Sequence, residues 1–116
     1  MPRDTNPNFM AGVPELLILR LLQNREMYGY ELVQAIRAET RDTVSLGEGV
    51  VYTVLHALER DGALKSRRRA VEGRSRIYYT VTAAGLKRYG DLAHSWTTLA
   101  DVIRSVIKGA HHVATV

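Results

Sequence analysis

Six basic residues lie within the twelve positions from Lys65 to Arg76, and a cluster of this type is suited to binding anions. They are Lys65, Arg67, Arg68, Arg69, Arg74 and Arg76, and Glu72 is the one acid among them. The segment therefore carries a net charge of +5 while the whole chain carries +4, so the other residues sum to −1. Such a segment fits a polyanion such as duplex DNA, although a solvated basic hairpin would have the same composition.

Residue patterns that serve catalysis or metal binding are missing from the sequence. The chain has no cysteine, no glycine-rich phosphate loop, no serine in an elbow motif and no two histidines spaced one helical turn apart. His111 and His112 are adjacent, which is a poor arrangement for joint ligation of one metal ion. We therefore expect no enzymatic activity, no cofactor and no metal site.

Composition also limits where the chain works. A chain of 116 residues forms one domain, and the lack of cysteine favours a reducing compartment. The longest strongly apolar stretch, Leu16 to Leu22, is too short to span a bilayer, and Met1 to Asn8 has no apolar core of a signal peptide. We therefore expect a cytoplasmic protein with no membrane partner, in which residues 1–8 form a flexible arm.

The apolar pattern predicts three helices before the basic cluster. They run from about Gly12 to Gln23, from Tyr28 to Glu39 and from Glu48 to Arg60, with a turn at Arg25 to Met27. The first helix is apolar around most of its circumference, so we expect both its own core and a partner subunit to cover it.

The ends of the third helix carry local signals. Ser45 and Glu48 fit a capping box, but Gly47 is a competing N-cap, and we favour Gly47. Asp61 and Gly62 supply a left-handed stop. The chain then becomes extended and rich in β-branched and aromatic residues.

The basic cluster lies on a predicted β-hairpin. Its strands run from Ala63 to Arg69 and from Ser75 to Val81, and residues 71–74 form the connecting tip. Arginines therefore occur on both arms of the hairpin, next to the third helix.

The last element is a helix from Ala83 to about Lys108, with Thr82 as its N-cap and a length of about 39 Å at the standard rise. An apolar stripe follows it at steps of three and four, through Tyr89, Leu92, Trp96, Leu99, Ile103 and Val106. A helix of this length overhangs a core of three short helices, so we expect the stripe to form a dimer interface together with Leu16 and Leu17. The alternative is a stripe packed on its own domain.

This order of elements predicts a mostly α fold with a small β-hairpin, namely a winged helix-turn-helix with a long C-terminal dimerisation helix. The domain would span residues 9–82, the dimerisation helix 83–108 and a flexible tail 109–116. In such proteins the second helix of the motif enters the major groove of DNA, N-terminus first. The predicted DNA contacts are therefore Tyr30, Glu48, Val50, Tyr52, Thr53 and His56, with the six basic residues of the hairpin against the flanking backbone or in a minor groove.

Several motifs resemble the PadR family of bacterial transcriptional regulators, in order and with matching gaps between Val13 and Ile107. They are Tyr28-Gly29-Tyr30-Glu31-Leu32, Tyr52-Thr53-Val54-Leu55, Leu58-Glu59-Arg60-Asp61-Gly62, and the run from Gly73 to Thr82 with Gly85. Val50 stands where the family usually has Ser or Thr, and Gly47 replaces a common polar cap.

A tryptophan on the last helix, followed by Leu99 and Ile103, further resembles the short subfamily, whose single C-terminal helix makes the dimer. That subfamily includes multidrug-binding repressors in which paired tryptophans sandwich planar aromatic compounds. The resemblance implies a planar effector held by Trp96, Leu92, Leu99 and Ala100. Trp96 as plain dimer core, without a ligand, is the alternative.

The sequence is thus interpreted as a homodimeric, ligand-responsive repressor that binds a pseudo-palindromic double-stranded operator. The different-class alternatives are a winged-helix protein-interaction module and an RNA binder. A protein adaptor has no need of five net positive charges on the hairpin, and an RNA binder more often presents stacking aromatics on a platform. A DNA regulator without a small-molecule effector also stays open.

Overall fold

The computed structural model describes residues 12–109, so the predicted arm, residues 110–116 of the predicted tail, and the histidine pair lie outside the described residues. The elements in chain order are α1 (Val13–Leu21), β1 (Met27–Tyr28), α2 (Gly29–Glu39), α3 (Glu48–Arg60), β2 (Leu64–Val71), β3 (Arg74–Val81) and α4 (Ala83–Lys108). Within residues 12–109, four helices and one small antiparallel sheet confirm the predicted mostly α fold with a winged helix-turn-helix order.

The predicted bounds of α3 and α4 are confirmed, because their ends carry strong local signals. Gly47 is the N-cap of α3, as we favoured over Ser45, and Gly62 adopts the left-handed φ of 83° after its last turn. Thr82 caps α4 by accepting a hydrogen bond from the Gly85 N–H at 3.0 Å. The first helix ends at Leu21 rather than Gln23, because the chain turns there with the Asn24 N–H bonded to the Leu21 carbonyl.

The sheet has three strands, whereas the sequence predicted two. Its order is β1-β3-β2, with Met27 opposite Tyr79 and Tyr28 opposite Tyr78. The predicted turn at residues 25–27 is therefore wrong at Met27, and Tyr28 precedes α2 instead of opening it. A two-residue strand has no alternating pattern of its own, and its partner lies far along the chain.

The hairpin tip is also shorter than predicted. Val71 and Arg74 are paired strand residues, so only Glu72 and Gly73 form the turn, with φ of 52° and 79°. Positive φ at both central residues is the requirement of a type I′ turn, whose twist matches that of the flanking strands. The predicted four-residue tip was wrong because Glu72, which is not a glycine, adopts the first positive φ of the turn. The residue type therefore gave no sign of a two-residue turn at this position.

The core lies between α1, α2, α3 and the inner side of the sheet. Its fully buried side chains are Ile18, Leu19, Leu32, Ile36, Val51, Leu55 and Leu58. Each such residue contributes about 1.5–3 kcal/mol through burial of apolar surface. These residues hold α3 at a fixed angle to α2 and leave its other side exposed.

The junction between β3 and α4 is tightly constrained. The Thr82 hydroxyl donates to the Gly62 carbonyl at 2.7 Å, and a β-carbon at Gly85 would collide with the carbonyl of Ala63. Arg88 on α4 donates to Glu15 of α1 at 2.6 Å and to Asp61 at 3.3 Å. The first turns of α4 are thereby fixed to the domain.

The remainder of α4 extends away from the core. Tyr89 and Leu92 still pack against buried residues, whereas the large apolar side chains between Trp96 and Ile107 are exposed. The structure measures 67 × 37 × 21 Å, with a radius of gyration of 17.0 Å, against about 13 Å for a compact chain of 100 residues. Within residues 12–109 no helix combines the length and apolar character needed to cross a membrane.

Candidate nucleic-acid interface

The exposed side of α3 carries the residues predicted to meet bases. Glu48, Val50, Thr53 and His56 are all exposed, while Val51 and Leu55 face the core. Val50 is 44 % exposed, so its side chain is accessible from solvent. An apolar side chain there can contact the methyl group of thymine, whereas serine or threonine would bond phosphate.

Tyr52 lies differently from the other predicted contacts on α3. It is half-buried, and its ring occupies the space that a β-carbon on Gly29 would require. Its ring centroid is 6.2 Å from that of His56. Tyr52 therefore connects α3 to the start of α2, so it has a packing role in addition to any contact with DNA.

A cleft of about 590 Å³ separates α3 from β3. Its lining residues are Tyr28, Tyr30, Glu48, Tyr52, His56, Arg74, Ser75, Arg76, Ile77 and Tyr79. Six of the predicted DNA-binding residues line this cleft, although they come from α2, α3 and β3. Desolvation by burial first, and then the charge of Glu59, raise the pKa of the Tyr79 phenol, so its hydroxyl stays protonated.

The hairpin divides the basic cluster between its two faces. Residues opposite one another in an antiparallel pair share a face, and successive residues alternate. The face that continues the core, here called the inner face, includes Leu64, Tyr79 and Arg68. The opposite face, here called the outer face, carries the other five basic residues, Lys65, Arg67, Arg69, Arg74 and Arg76.

The Arg68 side chain belongs to the cleft side of the hairpin. Its Nη1 donates to the Ser75 hydroxyl at 3.2 Å, and Ser75 lines the cleft. Arg74 and Arg76 also border the cleft, from the end of β3 near the tip. Lys65 and Arg67 lie elsewhere, around a shallow depression with Glu26 and Thr80. The predicted contacts therefore form two groups rather than one continuous surface.

Glu26 is a residue of the outer face that the sequence did not single out. Its carboxylate accepts hydrogen bonds from Arg67 at 3.1 and 2.8 Å and from Arg69 at 2.6 Å. Hydrogen bonding from Arg67 is the main reason that the pKa of the Glu26 carboxyl lies below its ordinary value of 4.5. More than forty positions separate Glu26 from these arginines, so no local pattern reveals the pairing.

Two tyrosines complete the outer face. The Arg69 guanidinium lies 4.5 Å from the ring centroid of Tyr78, and that of Arg76 lies 4.2 Å from Tyr28. The two rings meet edge to face at 5.4 Å. Tyr78 and Tyr79 are both buried, on opposite faces of β3. The rings thus hold Arg69 and Arg76 near the sheet.

The predicted dimer and effector residues on α4 are only partly together. Trp96, Leu99, Ile103 and Val106 form an exposed stripe, and Ala100 is half-buried beside it. Leu92 and Tyr89 instead pack on the core of their own domain, and Leu16 and Leu17 of α1 are half-buried. The sequence interpretation overlooked Val102 and Ile107, which are also exposed and widen the stripe.

A metal centre finds no support in this part of the chain. Across the described positions 12–109, no three histidine, cysteine, aspartate or glutamate side chains lie close enough to hold an ion.

Comparison with known proteins gives one consistent result. Residues 18–91 match the model of the transcriptional regulator PadR-like family. The transcriptional regulator Rv3488 of Mycobacterium tuberculosis is 33 % identical over 106 residues, which cover 91 % of this chain and 94 % of that protein. A solved transcriptional regulator from Clostridium thermocellum superposes with a TM-score of 0.78 at 31 % identity, over 84 % of this chain and 96 % of the other. A PadR-like regulator from Bacillus cereus has a TM-score of 0.75 at 25 % identity, over 86 % and 96 %.

Proposed function

The chain belongs to the PadR-like family of transcriptional regulators, and we propose that it acts as a homodimeric repressor that a planar apolar effector releases from its operator. The proposal of a homodimer rests on the exposed apolar stripe of α4. The proposal of an effector rests on the position of Trp96 on that stripe.

DNA binding in this proposal uses α3 and the hairpin together. The first turns of α3 enter a major groove, where Glu48, Val50 and Thr53 meet base edges. All six basic residues of the hairpin, on both of its faces, contact the adjacent phosphate backbone. Phosphate contacts of this kind position the protein and carry little sequence information, so base choice falls to α3.

The apolar stripe on α4 supports a second copy of the chain as its cover. Trp96 is 48 % exposed and Val106 is 61 % exposed, and four further large apolar residues lie beside them, namely Leu99, Val102, Ile103 and Ile107. Monomeric proteins rarely leave a patch of this kind in water. The stripe exceeds the width of a two-helix seam, so the partner's α4 and α1 together would cover it, which agrees with half-buried Leu16 and Leu17 on α1.

The effector would bind where two copies of Trp96 approach each other. Leu99 and Ala100 flank the indole on the exposed side, whereas Leu92 is held in its own core and would only border the site. A ligand between the helices changes operator affinity only if it prefers one spacing of the two DNA-binding domains over another. The ligand would relieve repression by favouring a spacing of the two DNA-binding domains that does not fit the operator.

Sedimentation and the fluorescence of the chain's single tryptophan test the proposal together. We expect a dimer at micromolar concentration, and quenching of Trp96 by planar aromatic compounds that also weaken operator binding. A monomer in sedimentation would refute the proposal of a dimeric repressor. A dimer whose Trp96 is not quenched would support the alternative, a regulator in which Trp96 is sealed core and no effector binds.

A further inference from the structure

The contact between Glu26 and two hairpin arginines lies outside the hydrophobic core of the domain. Glu26 stands just before β1, and its side chain is 19 % exposed, while the Arg67 side chain is 65 % exposed. Both carboxylate oxygens are used, because Oε1 and Oε2 accept from the Nε and Nη2 of Arg67 and Oε2 also accepts from Arg69. The pairing is bidentate and charged, which is the strongest form of hydrogen bond between side chains.

A guanidinium group binds carboxylate and phosphate with the same pair of parallel N–H donors. The edge of Arg67 that faces Glu26, formed by Nε and Nη2, is one of the two edges through which a guanidinium can bind a phosphodiester. While Glu26 occupies these donors, the same edge is closed to DNA. Arg69 likewise donates a hydrogen bond from its Nη1 to the Glu26 carboxylate.

We propose that Glu26 competes with DNA phosphates for Arg67 and Arg69, and so lowers the affinity of the protein for DNA. The inference rests on the proposed function, since it requires the hairpin to contact DNA. The Arg67 side chain is 65 % exposed, and an ion pair that faces solvent contributes little to stability, so a phosphate can displace Glu26 from Arg67 at small cost. Glu26 thereby limits how strongly the hairpin binds to any sequence.

The two arginines should differ in how readily they exchange partners. Arg69 also stacks on the Tyr78 ring, which restricts its movement, whereas Arg67 is mostly exposed and has no ring against it in the described part of the chain. Lys65 and Arg74 have no acidic partner among residues 12–109 and need no exchange. Lys65 and Arg74 can therefore bind phosphate directly, whereas Arg67 and Arg69 can do so fully only after Glu26 is displaced.

Glu26→Gln tests the competition, because it removes the charge and keeps the shape. Binding of a labelled random-sequence duplex of three helical turns is followed by fluorescence anisotropy over a range of salt concentrations. We expect the variant to bind about 3-fold to 10-fold more tightly, with a log–log salt slope steeper by about 0.9 for each arginine released. The same fold change is expected on an operator duplex, because phosphate contacts do not depend on sequence.

Glu39→Gln is the matched control for net charge. Glu39 is exposed at the end of α2 and has no ion pair among the described residues. Equal tightening by Glu39→Gln and Glu26→Gln, or no tightening by Glu26→Gln, would overturn the proposal. A wild-type protein that binds no duplex at low salt would instead refute the proposed function, so the two failures are distinguishable.

Glu26→Asp separates the contact from the charge and also covers the case in which Glu26→Gln fails to fold. The shorter side chain keeps the negative charge but cannot reach both arginines, so we expect tighter binding than in the wild type. Wild-type affinity in a folded Glu26→Asp variant would refute the competition. In a chain that already carries Arg67→Gln and Arg69→Gln, Glu26→Gln should change affinity no more than Glu39→Gln does.

Discussion

The phenol ring of Tyr52 on α3 fills the space beside Gly29 that any larger residue at position 29 would need. The contact joins α3 to the first turn of α2, and it explains why a glycine stands between Tyr28 and Tyr30. Tyr52 thus packs the two helices against each other at this point.

Gly29→Ala should displace the Tyr52 ring and disturb both stability and DNA binding. Overpacking of this kind costs about 1–3 kcal/mol in the free energy of unfolding, which urea denaturation measures. Gly90→Ala is the control, because Gly90 lies within α4 with no atom within 4 Å of an added β-carbon, and it should stabilise by about 0.5–1 kcal/mol. Unchanged stability in Gly29→Ala would show that the ring moves aside freely.

Ile103→Glu should dissociate the dimer, because it places a charge in the centre of the exposed apolar stripe. Sedimentation equilibrium would then give the mass of one chain, and operator affinity would fall with it. Thr97→Glu adds the same charge at an exposed position on the other side of α4 and should leave the dimer intact. If Ile103→Glu remained a dimer, the stripe would not be the interface.

Replacing Arg67, Arg68 and Arg69 by alanine should flatten the salt dependence of operator binding. Each phosphate contact contributes about 0.9 to the log–log slope, so loss of three full contacts would reduce it by about 2.7. The observed decrease should be smaller, because Glu26 holds Arg67 and Arg69 for part of the time. If the slope did not change, the middle of the hairpin would not be part of the DNA interface.

Acid should remove the small stabilising effect of Glu26. The hydrogen bond from Arg67 lowers the pKa of this carboxyl in the folded protein, below the ordinary 4.5. Such a group stabilises the folded state fully at pH above its unfolded pKa, and the effect is lost as pH falls through the folded value. The difference in unfolding free energy between wild type and Glu26→Gln should thus be present near neutrality and vanish in acid. A difference that grew on acidification would contradict this sign.

The sequence predicted those parts of the fold whose signals are local. Gly47, Gly62 and Thr82 mark helix ends within one turn, so the bounds of α3 and α4 followed from them. Strand β1 did not follow, because two residues cannot show an alternating pattern and their pairing with Tyr78 and Tyr79 is distant in sequence.

The candidate site shows the same division between local and distant information. The helical period of α3 was enough to place Glu48, Thr53 and His56 on one exposed side. The count of charges did not divide the basic residues of the hairpin between its faces, whereas strand alternation places Arg68 on one face and Arg67 and Arg69 on the other. The carboxylate that binds them comes from a loop before β1, and only the folded chain brings Glu26 there.

A footprint on the DNA upstream of the chain's own gene is the most direct test of a dimeric operator-binding regulator. At low salt the purified protein should protect two half-sites about one helical turn apart, on one side of the duplex, with two chains bound to each operator. Protection that follows no sequence, or a single half-site occupied by one chain, would contradict the account.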